Sequence, residues 1–269
     1  MKQLNITIVL LVLFIFIGCR EKVENFNTST DKKTNEIQSN EISTASKSWL
    51  EIVNNKNLID IRGYYANNAF KVISADSIVT GSSTIAEYYI NKSNLITESK
   101  TLFLTEANKT QGIDYELINY KTEDLEEYIQ VVIWKQNDDK KVREFEYSVK
   151  RNKVNSNVDK DDISKRRGLW IELCNKNNAE NLVKELYANN AIYFNHKPLV
   201  IGTEAISKEY QYMNNNNYNL TLEPLKVEMV TEHIAFEIGQ CKGSYGGKYV
   251  IVWKKESGEK WKVFIDSNF

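Results

Sequence analysis

Apolar positions along this chain change their period in the same way twice. Trp49, Ile52 and Val53 fall at helical spacing, as do Ile61, Tyr64 and Tyr65 beyond the polar break Asn54-Asn55-Lys56. Farther on, Trp170, Leu173 and Cys174, then Val183, Leu186 and Tyr187, repeat both clusters across the break at 175–178. The spacing predicts two short helices at the head of each half. The pairs Asn67-Asn68 and Asn189-Asn190 are expected to end the second helix of each half, since Asn tolerates the left-handed conformation of a helix stop. Short strands are expected over 70–73 and 192–195, each followed by a turn and a glycine, Gly81 or Gly202. A third helix then starts, with Ser83 or Thr203 as its expected cap. The remainder of each half reads as long strands, in the second half over 220–230, 233–243, 246–255 and 260–267. Val250-Ile251-Val252-Trp253 is apolar at every position, which predicts a central strand covered on both faces.

The two halves share residues as well as pattern. Tyr65-Ala66-Asn67-Asn68-Ala69 recurs as Tyr187-Ala188-Asn189-Asn190-Ala191. Trp49 answers Trp170, Gly81 answers Gly202, and Tyr128, Trp134 and Phe145 answer Tyr249, Trp253 and Phe264. Such self-similarity implies two copies of one domain. The expected class is α+β, each copy packing three helices on a strongly bent antiparallel sheet. Copy one spans 42–150, a linker 151–162, and copy two 163–269.

The amino terminus follows another rule. An apolar run from Ile6 to Ile17, broken only by Thr7, is too short to span a bilayer but suits a secretory signal. It ends in Phe16-Ile17-Gly18-Cys19, which resembles the lipobox of bacterial lipoproteins, although Phe16 replaces the usual leucine. That resemblance implies a signal peptide over 1–18 and an acylated Cys19 holding the protein to a membrane lipid at the bacterial cell envelope, at the outer membrane or cell surface. Residues 19–41 are rich in Asn, Thr, Ser, Lys and Glu and read as a disordered tether.

Composition narrows the chemistry by exclusion. A formal net charge of −1 offers no basic field for nucleic acid. Phosphate-binding, dinucleotide and nucleophile-elbow motifs do not occur, and two histidines cannot furnish a multi-histidine centre, so neither a metal nor a cofactor is expected. Cys174 and Cys241 could pair if exported, but Cys174 aligns with Val53, which favours a buried thiol.

Copy two carries Tyr187-Ala188-Asn189-Asn190-Ala191, Pro198, Gly202, Ala235-Phe236-Glu237-Ile238-Gly239, Gly247-Lys248-Tyr249, Val252-Trp253-Lys254-Lys255 and Trp261-Lys262-Val263 with Asp266. This resembles the SnoaL-like, DUF4440-type branch of the NTF2-like superfamily; copy one keeps the frame but not the proline and most of the glycines. The resemblance implies that each copy is a cone with a pocket at its open end. His196 is placed at the cone mouth or, alternatively, in an exposed turn; Asp266 is either an enclosed acid with a raised pKa or an exposed strand end. Glu237 faces the pocket or a polar outer face. Tyr193, His196, Tyr212, Glu237 and Tyr249 are the expected ligand contacts. Asn190 and Asn68 stand where the family often has an acid, which counts against catalysis. The leading expectation is non-catalytic binding of a small apolar or amphipathic molecule in the second cone, with copy one packed on it as a pseudo-dimer. The alternatives are an isomerase- or cyclase-like enzyme using His196 and Asp266, and a protein-interaction module with filled cones.

Overall fold

The computed structural model describes residues 28–152, 160–255 and 260–269, with side chains from Glu41 onward. The signal peptide and Cys19 lie outside the described residues. Copy one runs α1 (Thr28–Asn55), α2 (Leu58–Gly63), β1 (Tyr65–Ser74), β2 (Ser77–Thr80), α3 (Ser82–Asn91), β3 (Ile96–Asn108), β4 (Ile113–Thr122), β5 (Glu127–Asn137) and β6 (Lys140–Lys150). Copy two repeats the order as α4 (Lys160–Asn175), α5 (Ala179–Leu186), β7 (Tyr187–Phe194), β8 (Val200–Ile201), α6 (Thr203–Glu209), a 3₁₀ turn (Gln211–Asn214), β9 (Leu220–Thr231), β10 (Ile234–Gly243), β11 (Lys248–Lys255) and β12 (Trp261–Asn268).

The sheets are ordered β2-β1-β6-β5-β4-β3 and β8-β7-β12-β11-β10-β9. Within each, β1 with β6 and β7 with β12 pair in parallel, and every other ladder is antiparallel. The architecture is therefore two tandem α+β domains of one topology, as the repeat predicts.

Several expectations need correction. The Asn-Asn pairs do not end helices. α2 stops at Gly63 and α5 at Leu186, and Tyr65 and Tyr187 already belong to strands. Asn67-Asn68 falls within the register shift between Tyr65 and Phe70, so the pair bulges out of the β1–β6 ladder with both side chains exposed. The polar breaks instead supply caps: Asn57 Oδ1 accepts from Ile59 N (3.0 Å) and Asp60 N (3.2 Å), and Asn178 Oδ1 from Asn181 N (2.9 Å). Ser83 and Thr203 cap nothing. The N-cap positions of α3 and α6 are Gly81 and Gly202, at φ 90° and 89°, where no side chain is available. α1 begins at Thr28, inside the segment expected as tether, where no proline or glycine interrupts a helix. Cys174 and Cys241 are both free and buried.

Alternation divides each sheet into two apolar faces. On β11, Tyr249, Ile251 and Trp253 turn toward the helices of copy two, joining Trp170, Leu182, Leu186 and Ile206. Val250 and Val252 turn the other way, into a cluster that draws from both copies: Tyr115, Leu117, Val131 and Phe145 of copy one with Phe236, Ile238 and Phe264 of copy two. That arrangement accounts for a strand apolar at every position.

Candidate functional site

One row of residues crosses the inner face of each sheet. In copy two, Val227 opposes Glu237, Glu237 opposes Ile251, Ile251 opposes Asp266, and Asp266 opposes Tyr193. In copy one the corresponding row is Leu104, Glu116, Val132, Glu146 and Lys71. Each copy thus holds two buried carboxyls two strands apart, roughly 10 Å at the usual strand spacing.

The acid at the β12 position is Asp266, 3% exposed. Its carboxylate accepts from the Tyr187 hydroxyl at 2.5 Å and from the Tyr210 hydroxyl. Tyr187 in turn accepts from the Trp170 indole N–H at 3.2 Å, so tryptophan, tyrosine and acid form a chain. Burial pushes the Asp266 carboxyl up to about 6, against the pull of the two hydroxyls and of a backbone hydrogen bond from Ser267. Burial, reinforced by the Asp266 charge, holds Tyr187 and Tyr210 well above the usual phenol range. Among the described residues no lysine or arginine bonds Asp266. Beside it lies a cavity of about 20 Å³ bounded by Trp170, Met213, Cys241, Tyr245, Tyr249 and Asn268. This is room for one water-sized molecule.

Copy one builds the same chain and then neutralises it. Trp49 donates to Tyr65 (2.9 Å), Tyr65 to Glu146 (3.1 Å) and Tyr89 to Glu146 (2.6 Å). Two cations close on that carboxylate: Lys71 Nζ at 2.9 Å and Arg143 Nη1 at 2.7 Å. Burial alone would raise the Glu146 pKa, but the two cations outweigh it and hold the carboxyl below its ordinary value. Burial would likewise lower Lys71, yet Glu146 keeps the ammonium above its usual range. Arg143 also stacks its guanidinium 3.5 Å from the centre of the Trp49 ring. The first cone is filled by its own ions.

The second acid of each row is structural. Glu237 is fully buried and receives Arg167 bidentately at 2.6 and 2.9 Å, the Tyr249 hydroxyl at 2.7 Å and the Trp253 indole at 2.9 Å. It therefore faces the cone interior, but with its bonding capacity taken up. Glu116 is its counterpart, held by Ser46 (2.8 Å), Thr101 (2.5 Å) and Trp134 (2.8 Å). Tyr249 is fixed between Glu237 and the backbone of Gly239, where a Cβ would come within 2.2 Å of its ring.

The remaining expected contacts separate. Tyr193 lies in the cone, 3% exposed, donating to Asn268 Oδ1 and accepting from Asn195 Nδ2, both at 3.0 Å. Burial raises its phenol pKa. Tyr212 is 49% exposed and stacks edge-on against Tyr210 and Tyr218 outside the cavity. His196 does not share a cavity with Asp266. It sits at φ 65° beyond the end of β7, its ring 4.0 Å from Phe269 and its Nδ1 2.5 Å from Glu144 Oε2 of copy one. Phe194 and Phe269, its ring neighbours, belong to the cluster between the copies. The pairing of His196 with Asp266 is therefore corrected: adjacent strand residues alternate faces, and the chain past Phe194 leaves on the side turned toward copy one. A separate depression of about 450 Å³ opens to solvent near α5 and α6, lined by Lys184, Asn189, Ser207 and Lys208 among others, away from all of these residues.

Sequence reasoning missed Tyr187 and Tyr210 as partners of Asp266, and the whole Lys71–Arg143–Glu146 cluster. The available clue was charge inside otherwise apolar strands, as in Arg143-Glu144-Phe145-Glu146.

No family model matches this chain, and no curated protein matches it. Among solved structures it is similar to an NTF2-like protein of unknown function from Shewanella oneidensis, at 14% identity over 40% of this chain and 95% of that one, with a TM-score of 0.36. It is also similar to an NTF2-like protein from Cytophaga hutchinsonii (12% identity, 42% of this chain, 98% of that one, TM-score 0.36). A third is a ketosteroid isomerase-like protein from Erwinia carotovora (9% identity, 42% and 95%, TM-score 0.35).

Proposed function

We propose that the second cone binds a small molecule with a largely apolar body and one polar group directed at Asp266, and that copy one is its fixed structural partner in an intramolecular pseudo-dimer. The observation that carries this reading is the contrast within the repeat. Glu146 is met by two internal cations, whereas Asp266 is buried beside a cavity with two tyrosine hydroxyls and the Ser267 backbone as its hydrogen-bond partners and no cation among the described residues. A buried carboxyl without a cation is costly for stability alone, and retained costly groups cluster at functional sites. The space of about 20 Å³ is smaller than such a ligand, so binding displaces a lining side chain. Tyr245 is the one to move, since Gly243 at φ 124° and the pair Gly246-Gly247 flank it. In this reading acylated Cys19 holds the two copies to an envelope membrane, at the outer membrane or cell surface.

Native mass spectrometry of the full chain, isolated from an envelope-targeted expression, tests the reading. A bound small molecule should survive in His196→Ala, which lies outside the cone, and be lost in Asp266→Asn. Equal retention in both variants would reject the site. The near-filled second cone favours one other reading, a protein-interaction module whose outer surfaces act. A bare mass in every variant, together with a captured protein partner, would select it.

A further inference from the structure

We propose that the second cone takes a small organic cation, a primary or substituted ammonium, with Asp266 as counter-ion and the surrounding aromatic rings as its cage. The inference rests on the binding reading above and narrows it to one ligand class. The repeat itself supplies the template. Lys71 stands to Glu146 in the β1–β6 register as Tyr193 stands to Asp266 in the β7–β12 register. In copy one the Lys71 ammonium bonds Glu146 at 2.9 Å and the Tyr89 hydroxyl at 3.0 Å, and lies 4.8 and 4.7 Å from the ring centres of Tyr88 and Tyr89. Copy one therefore delivers an alkylammonium to its buried acid on its own side chain.

Copy two keeps the acid and both hydroxyls but neither cation. Tyr187 and Tyr210 bond Asp266 as Tyr65 and Tyr89 bond Glu146. Tyr193 takes the register position of Lys71. Val263 takes that of Arg143, since Tyr65 pairs with Arg143 and Tyr187 with Val263. What remains is an anion with no internal cation beside it, next to a cavity edged by Trp170, Tyr245 and Tyr249 and close to the edge-on pair Tyr193 and Tyr210. Aromatic faces attract a desolvated cation and give a neutral or anionic ligand no such advantage. A free cation entering this site would complete the arrangement that copy one makes covalently.

The test is calorimetric titration of the purified full chain at pH 7.5 with methylammonium, butylammonium and tetramethylammonium chlorides, against 1-butanol and sodium butyrate as neutral and anionic matches. At least one cation should bind saturably, tenfold or more tighter than butanol, and lose that affinity at least tenfold in Asp266→Asn. Tyr193→Lys, which gives copy two the lysine of copy one, should raise the melting temperature and abolish cation binding; this variant decides the matter should Asp266→Asn fail to fold. Butanol or butyrate binding as tightly as butylammonium would overturn the cation and leave the second cone as a binding site; undiminished cation binding in both variants would put the cation somewhere else and overturn the proposal. No binding by any of the five probes would overturn the cation, and the native mass spectra of the same chain then decide separately whether the second cone binds a small molecule at all.

Discussion

Asp266 and Glu146 occupy one register position in two copies, and their carboxyls shift in opposite directions because only one has cations beside it. The shift has a measurable consequence for stability. A carboxyl whose folded pKa is raised binds its proton more tightly in the native state, so its contribution is complete below the unfolded value and is lost as pH rises through the folded one. For Asp266 that window runs from 3.8 to about 6, and the loss across it is about 3 kcal/mol at most. Denaturant unfolding at pH 4 and pH 7 should show the wild type losing stability relative to Asp266→Asn between the two. Glu146 runs the other way: its lowered pKa adds stability above the usual glutamate range, lost as pH falls below it. Arg143→Ala, which strips one cation from a fully buried carboxylate, should cost roughly 3–5 kcal/mol in the same unfolding assay. Asp266 was legible as a candidate because the resemblance puts an acid at the end of the last strand, although the sequence leaves open whether it is enclosed or exposed. Its tyrosine partners were not, since they arrive from the start of β7 and the end of α6, a juxtaposition no linear spacing encodes.

At the scale of the element, the long strands of copy two were legible to within a residue or two because alternation and turn residues agree there. The helix ends were not. Tyr-Ala-Asn-Asn-Ala has the composition of a helix stop, yet it forms the first half of a strand, and in copy one the bulge turns both asparagines to solvent. Backbone demands at the next turn are sharper. Gly202 stands at φ 89°, a region closed to most side chains. Gly202→Ala should destabilise by about 1–3 kcal/mol in thermal unfolding. Gly239→Ala should act through packing instead: its Cβ would meet the Tyr249 ring at 2.2 Å and push it from Glu237. A visible sign would be an altered near-ultraviolet tyrosine spectrum together with a lower melting temperature; an unchanged spectrum would contradict the close approach.

Across the whole molecule, the two sheets bury apolar faces in one cluster, tied at its margins by Arg151 to Glu228 (2.5 Å), Tyr115 Oη to the Lys248 carbonyl (3.3 Å) and His196 to Glu144 (2.5 Å). A fragment of residues 160–269 would expose Phe236, Ile238, Val250, Val252 and Phe264 to water. It should self-associate in sedimentation at micromolar concentration, whereas a well-behaved monomer would contradict the importance of that face. The all-apolar run at 250–253 carried this information in the sequence, and the repeat suggested copy one as a partner, but which residues of copy one cover its second face was beyond it. The difference between the cones was hidden for another reason: it depends on pairing Lys71 with Glu146 and Tyr193 with Asp266 across parallel strands far apart in the chain. That difference is what sets the second cone apart as a binding site in the proposed function. Its most direct test is a carbon-13 NMR titration of the side-chain carboxyls in the intact chain, assigned with Asp266→Asn and Glu146→Gln. Asp266 should titrate near 6 while Glu146 remains ionised to below the ordinary glutamate range. An Asp266 carboxyl titrating near its unperturbed 3.8 would mean that the second cone holds no unneutralised buried acid, and the proposed site would be gone.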